Sequence, residues 1–462
     1  MDNDKMKSKM KSDIVADWIK EQIKLGKWGS AGAKIPSQRV LADQFSVNRS
    51  TVVTALELLK KDGIIEGVMG KGTIIANDTW SLLASLPRSK DTQPSHPVET
   101  GIIDLSKGEL AEDVFPDGYL NDVLARLSGK IHSLGYEERG GYEPLREAVA
   151  GYMTRQGTPV TPSSILIVSG AMQGLQLIAS GLMERGASVF LEEPSYLYSI
   201  HTFQSLGMSL TGIEMDADGL VTADLQSKWR PNHPSALYTI PCFHNPTGIM
   251  MSESRRKEVL SFCTAHRLPI IEDDVYRELW LDSPPPPSLK SMDTNSNVLY
   301  IGSLSKTLSP GLRIGWVAGA EPVIERLANL KMQADYGTSS LSQRVASEWL
   351  EEGLYEHHLE YVRKELLKRR LEASASLERH LSGLADWRIP NGGFFIWLKL
   401  KQDISIKELY TEAVNEGILF HPGSIYTEGT SRSIRLSYGY AGPAQFEEGI
   451  RRLKKWIITL SK

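Results

Sequence analysis

The chain has 462 residues, of which 41% are apolar and 23% charged, the make-up of a soluble globular protein with roughly three domain lengths of sequence. Its two cysteines, Cys242 and Cys263, are too few for a disulfide framework and fit a reducing cytoplasm, and the opening "MDNDKMKSKMKSD" lacks the apolar core of a signal peptide. A net charge of −4 does not advertise nucleic acid, but residues 1–78 carry 13 Lys and Arg against 10 Asp and Glu, so a mildly basic head precedes a body at −7.

In chain order, Ser12 is placed to cap a first helix in which Ile14, Val15, Trp18, Ile19 and Ile23 recur at helical spacing, with Gly26 as its stop. Ser37, after Pro36, caps a short second helix, "QRVLADQF". "SVN" is a tight connection, and "RSTVVTALELLKKDG" is a third helix with Asn48 as cap and Gly63 as stop. Val52, Leu56 and Leu59 share its buried face, which leaves Arg49, Ser50 and Thr51 pointing outward from the first turn. "IIEGVMGKGTIIA" reads as a β-hairpin with Lys71 at its glycine-rich tip.

Three helices and a hairpin make a winged helix-turn-helix. A helix fits the DNA major groove with its N-terminal residues at the base edges, and a hairpin reaches the neighbouring backbone or minor groove. Arg39, Arg49, Ser50, Thr51 and Lys71 are therefore candidate DNA contacts, although solvated surface charges produce the same pattern. The Pro-Ser-x-Arg entry, the "VNRSTV" start of the recognition helix and the Gly-x-Gly-Thr wing together closely resemble the DNA-binding domain of GntR-type bacterial regulators.

Residues 79–103 show no sustained period and contain Pro, Ser and Thr, as a linker would. From Asp104 the pattern changes. Buried strand-like runs ("ILIV", "SVFLEE", "ALYTI", "PIIEDD", "NVLYIGS") alternate with helices, which predicts an α/β domain with a large, mostly parallel sheet covered on both faces. "GGFFIWLKL" and "SIRLSYG" suggest strands of a second, smaller α/β subdomain, and "SPPPPS" a rigid surface loop. "SILIVSGAMQGLQLIASGLM" is broken by Ser, Gly and Gln and reads as strand, turn and helix rather than a membrane span.

The second half carries the chemistry. In "IGSLSKTLSPGLRIGW", Lys306 lies among small hydroxyl residues, Ser303 and Ser305, seven positions before Arg313. "IVSGAMQGL" runs a strand into a helix through Ser169, Gly170 and Ala171, whose freed N–H groups favour an anion. "PIIEDDVYREL" closes a strand with paired acids, which could hold a cofactor, bind a metal or cap a helix; no His/Cys cluster of ligand spacing supports the metal. "FHNPTG" sets Asn245 in a proline turn. A lysine amine for an imine, a carboxylate for a pyridine nitrogen, donors for a ring oxygen, and a dipole with a cation for a phosphate are what pyridoxal 5'-phosphate asks of a protein.

In this order the motifs resemble the fold-type I, aspartate-aminotransferase-like superfamily over roughly residues 104–462. The resemblance implies that Lys306 is the Schiff-base lysine, that Ser303, Ser305 and Arg313 hold the phosphate, and that Asp273 pairs with the pyridine N–H. It further implies Asn245 and Tyr276 at the ring 3-hydroxyl, Gly170 and Ala171 N–H groups at the phosphate, and Tyr196 stacked on the ring. Tyr136 would reach the phosphate of a partner subunit, and Arg435 would fork onto a substrate carboxylate. A GntR-type head (residues 1–78) and linker (79–103) ahead of such a domain (104–462) is the arrangement of the MocR subfamily. That resemblance implies a cytoplasmic homodimer of head-to-tail form that binds operator DNA. It would sense an amino acid or amine by aldimine exchange at Lys306. The alternative is a working α-amino-acid aminotransferase with an accessory head. Some MocR members have lost the Asn-Pro motif; this chain keeps both "HNPTG" and Arg435.

Overall fold

The computed structural model describes residues 2–24, 27–29, 31–68, 72–76, 101–129, 135–427 and 431–461. The chain divides into two compact units, Met1–Pro94 and Ser95–Lys462.

The first unit is built from α1 (Asp2–Lys24), α2 (Gln38–Phe45), α3 (Arg49–Lys61) and an antiparallel hairpin of β1 (Ile65–Val68) and β2 (Gly72–Ile75). Val15, Ile19 and Ile23 of α1 pack on Leu41 of α2 and on Val52, Leu56 and Leu59 of α3, and Ile65 and Ile75 close the core from the hairpin. Burying each such side chain stabilises the unit by about 1.5–3 kcal/mol relative to leaving it in water. The Ser37 side chain caps α2 by accepting from the Val40 N–H at 3.4 Å. Three expectations need correction. Ser12 caps nothing: α1 begins ten residues earlier and Ser12 is buried within it. Asn48 occupies the cap position of α3, but its side chain makes no capping bond. Thr51 faces inward, 5% exposed, because it precedes Ala55 by one turn and shares its buried side. Gly26 and Lys71 lie outside the described residues.

In the second unit, eight strands form one sheet: β4 (Ile165–Val168), β5 (Ser188–Glu193), β6 (Ser209–Asp216), β7 (Gly219–Leu220), β8 (Ser235–Thr239), β9 (Ile270–Asp273), β10 (Val298–Ser303) and β11 (Gly315–Ala318). Their order is β4-β11-β10-β9-β8-β5-β6-β7. The pairs from β10 across to β6 are parallel; β11 runs antiparallel to both neighbours, and β7 to β6. Alternate residues feed opposite layers. Ile167, Tyr300 and Trp316 join one apolar cluster, whereas Leu166, Ile301 and Val317 join another. This double coverage explains why the strands read as unbroken apolar runs.

A smaller sheet of β12 (Ala385–Trp387), β13 (Phe395–Leu400), β16 (Ser433–Ser437) and β15 (His421–Pro422), in that order, forms the subdomain. Ile103 does not belong to a linker: with Asp104 it forms β3, pairing in parallel with β14 (Ile418–Leu419). Leu105 then accepts a bond from the Ser437 N–H at 2.7 Å, so the segment entering this unit is stitched to the subdomain at once.

Candidate functional site

The carboxyl ends of the central strands bring the predicted residues together. Asp273 is the last residue of β9, Ser303 the last of β10, and Asn245 lies in the turn beyond β8. The acidic triplet resolves by partner. Glu272 accepts the N–H groups of Leu289 and Lys290 at 2.8 Å each, capping a short helix. Asp274 pairs with Arg277 at 3.1 Å. Asp273 accepts from the Tyr238 hydroxyl on Oδ2 at 2.7 Å, while its Oδ1 is buried with no hydrogen-bond partner among the described residues. Burial pushes this carboxyl up to about 6. An orphaned buried carboxylate oxygen costs stability unless a donor arrives, and the N–H of a pyridinium ring is such a donor.

Lys306 follows β10. Its Nζ donates to the Gly108 carbonyl at 2.7 Å and lies 5.9 Å from the centroid of the Tyr276 ring. Burial lowers the amine to about 8, with Glu109 opposing that shift and Arg435 adding to it. Ser303 Oγ bonds Ser305 Oγ at 3.0 Å, and Arg313 reaches the Ser169 carbonyl at 2.9 Å. Ser169 and Gly170 lead into the helix Ala171–Leu182. Gly170 sits at φ +87°, where any other residue is strained, and the Arg313 guanidinium lies where a Cβ would be. Hydroxyls, a guanidinium and a helix start thus converge on one spot, which suits a phosphate dianion. The Gly170 N–H is already donated to the Val168 carbonyl at 2.8 Å, so of the two predicted backbone donors Ala171 is the better placed.

Arg435, on β16, is buried. It donates to Asn245 Oδ1 at 2.8 Å and to the Ser106 carbonyl, and it lies over the Phe395 ring at 3.9 Å. Its Nε has no hydrogen-bond partner among the described residues. Asn245 Nδ2 is 3.4 Å from the buried Tyr276 hydroxyl. Tyr196 is half-buried at the start of the helix Leu197–Ser205, edge-on to Tyr198 at 5.5 Å. Tyr136 is not gathered into this group: it is 86% exposed, and its ring lies 5.7 Å from that of Tyr336.

Several neighbours escaped the sequence reading. Ser106 and Gly108 contribute backbone carbonyls, which no motif announces. Tyr426 lies 5.3 Å from the Arg435 guanidinium. Tyr238 and Ser199 form the support beneath Asp273, at 2.7 Å from each other. A tyrosine inside the otherwise apolar run "ALYTI" was the available signal for Tyr238.

In the first unit Arg39, Arg49 and Ser50 are exposed, and Arg49 Nε donates to Gln38 Oε1 at 3.1 Å, tying α3 to α2. No helix among the described residues is long and apolar enough to cross a membrane, and no group of acidic, His or Cys side chains among them could hold a metal.

Fold and site define an aminotransferase-like domain of fold type I behind a helix-turn-helix head. Residues 100–453 match the family "Aminotransferase class I and II", and residues 11–75 match "Bacterial regulatory proteins, gntR family". The chain belongs to the GntR-type regulators fused to a class I and II aminotransferase domain, the MocR arrangement, and is a DNA-binding transcription regulator. It is 51% identical to the uncharacterized HTH-type transcriptional regulator YdfD of Bacillus subtilis, over 99% of this chain and 98% of that protein. It is 34% identical to the HTH-type transcriptional regulator NorG of Staphylococcus aureus, over 92% of this chain and 99% of that one. Among solved structures it resembles the kynurenine aminotransferase of Pyrococcus horikoshii, solved with PMP (TM-score 0.75, 30% identity, 78% of this chain and 92% of that one). It also resembles LysN, the α-aminoadipate aminotransferase of Thermus thermophilus, complexed with N-(5'-phosphopyridoxyl)-L-leucine (TM-score 0.74, 31% identity, 78% and 93%).

Proposed function

We propose that the second unit holds pyridoxal 5'-phosphate at Lys306 and reads an amino acid or amine there, and that this occupancy sets how the head binds operator DNA. When bound, the cofactor supplies an aldehyde that takes up one primary amine at a time. The chain's residues fit that task. A lysine near 8 is unprotonated, hence nucleophilic, in about one molecule in ten at pH 7, against roughly one in several thousand for an ordinary lysine. The free Oδ1 of Asp273 would hold the proton of the ring nitrogen. Ser303, Ser305, Arg313 and the helix start at Ala171 would take the phosphate, with Asn245 and Tyr276 at the ring oxygen and Tyr196 on the ring face. Arg435 would fork onto a ligand carboxylate. In a head-to-tail homodimer the exposed Tyr136 would be free to reach the partner's site.

One observation carries the regulatory reading. Arg435 and Lys306, the two donors that cofactor and ligand would claim, both bond backbone carbonyls of one short stretch, Ser106 and Gly108. That stretch follows β3 directly, and β3 follows the chain that joins the two units. Attaching the cofactor would take Lys306 from that stretch; a ligand carboxylate would then claim Arg435, while the ligand's amine, in taking the aldehyde, would set Lys306 free to bond Gly108 again. To shift operator affinity the ligand must favour one disposition of the chain, typically by 1–3 kcal/mol, roughly 5- to 150-fold. Operator contacts by Arg39, Arg49, Ser50 and Lys71 would be largely to phosphates and so weaken with salt.

The low-lying Lys306 amine and the retained Arg435 also favour a second reading, an active aminotransferase with a DNA-binding head. Turnover of an amino acid with a 2-oxo acid near the ordinary ~10 s⁻¹ would establish it. The deciding experiment screens amino acids and amines for absorbance changes in the cofactor-loaded protein, then measures operator binding with each hit. A change in operator affinity that disappears in Lys306→Ala is the expected result. The same change persisting in that variant would defeat the mechanism.

A further inference from the structure

Asp273 has to be ionised to hold a proton on a ring nitrogen, yet its surroundings oppose the charge. It is 6% exposed at the end of a buried strand. Asp274 stands next to it and raises it further, and the Asp273 charge in turn helps to raise Glu192 on β5. Lys306 offers a favourable charge; Tyr196 and Tyr276 face the same side as neutral phenols. Some other group must favour the carboxylate form.

That group is on β8. The Tyr238 hydroxyl donates to Asp273 Oδ2 at 2.7 Å, and the Ser199 hydroxyl lies 2.7 Å from the same phenolic oxygen. Tyr238 and Ser199 are both 0% exposed. Phe203 meets the Tyr238 ring edge-on at 5.5 Å and holds it in place. The direction of the chain is fixed by chemistry. A carboxylate has no hydrogen to give, so Tyr238 must donate to it. The phenolic oxygen then has only acceptor capacity left, so Ser199 must donate to Tyr238. Burial and the two nearby carboxylates push the Tyr238 phenol well above its ordinary range, so it keeps its proton at any working pH. The Val275 N–H adds a weaker pull in the same sense.

We propose that Ser199 and Tyr238 are positioning residues: a one-way hydroxyl relay that keeps Asp273 ionised and leaves its free Oδ1 turned to the ring nitrogen of the cofactor. Three separate elements supply the relay: the helix Leu197–Ser205, β8 and β9. The relay therefore exists only once the sheet and the helix packed on it have formed. It touches neither the cofactor nor the ligand and acts entirely through Asp273. The inference rests on Asp273 being the ring-nitrogen partner.

The test uses the full-length protein with three variants, Tyr238→Phe, Ser199→Ala and Asp273→Asn. For each, pyridoxal 5'-phosphate affinity is measured by fluorescence titration and cofactor retention is followed by absorbance from pH 5 to 9. Removing the phenolic donor raises the Asp273 carboxyl further, so the carboxylate is lost at a higher pH. Tyr238→Phe is expected to weaken cofactor binding roughly tenfold to a hundredfold, the worth of a hydrogen bond to a charged group, and to move the pH midpoint of cofactor loss upward by about one unit. Ser199→Ala should shift both in the same direction by less, and it supplies the answer if Tyr238→Phe does not fold. A merely structural role would lower thermal stability and leave the pH midpoint where it is. Wild-type affinity and midpoint in Tyr238→Phe and Ser199→Ala, beside a weakened Asp273→Asn, would overturn the relay alone. Wild-type affinity in Asp273→Asn would remove the role of Asp273 and the relay with it.

Discussion

The two units keep their functional groups in opposite states. In the head, Arg39, Arg49 and Ser50 stand in water. In the aminotransferase-like unit, Asp273, Arg435 and Tyr276 are buried, and one polar atom of each of the first two lacks a partner among the described residues. Exposed cations cost the fold little and gain their value only against a phosphate backbone. Buried, half-satisfied groups lower the stability of the empty protein and regain it when a complementary ligand arrives. The head should therefore lose function on mutation without losing stability, whereas the site should exchange one for the other.

The largest effect belongs to Lys306→Ala, which should abolish covalent cofactor attachment and every effector response while operator affinity in the absence of effector stays within about twofold; absorbance spectra and fluorescence anisotropy on labelled operator check both halves. Next, Arg49→Ala should weaken operator binding by about tenfold and reduce the salt slope by about one, with cofactor affinity untouched. Loss of cofactor in that variant would mean that the two units do not divide function as their burial suggests.

Asp273→Asn sharpens the contrast from the other side. Its carboxyl is raised to about 6 in the folded state against about 4 when unfolded, so between those values the unfolded chain binds fewer protons and stability falls as pH rises. The full penalty is present above about pH 6. The cofactor-free variant should then be more stable than the parent by on the order of 2–3 kcal/mol at pH 7, with no difference near pH 4, even though it binds cofactor more weakly. Denaturant melts at the two pH values measure this; an unchanged melt at pH 7 would show that Asp273 is not held charged in the empty site. The smallest effect is that of Thr51→Ala. Thr51 is buried against the core of the head, so the change should cost about 1 kcal/mol of stability and leave the operator salt slope unaltered.

How far the sequence could be read depended on what sets each feature. The head was legible because its period and caps are local: Ser37 caps α2, and Val52, Leu56 and Leu59 fall on one face whatever else the chain does. Its errors were also local. Ser12 looked like a cap because polar residues precede it, yet α1 runs on through them. Thr51 was placed outward from its position in the first turn, but it lies one turn from Ala55 on the buried side. In the site, Lys306, Asp273, Asn245, Gly170 and Arg313 were legible because each is embedded in a short motif at a strand end. Ser106, Gly108, Ser199 and Tyr238 were not, since two of them act through backbone carbonyls and two through a third residue.

The sequence by itself determined which residues could form secondary structure, which strands would be buried on both faces and which side chains have the chemistry of a phosphate-bearing cofactor site, because periodicity and functional-group type are properties of short stretches. Only the tertiary structure decided which of three adjacent acids was left with a free oxygen, which hydroxyls stood beneath it, and that Arg435 and Lys306 would both anchor the stretch from Ser106 to Gly108. Those outcomes depend on distances between groups up to 329 residues apart in the chain, and such distances exist only after the sheets have paired and packed.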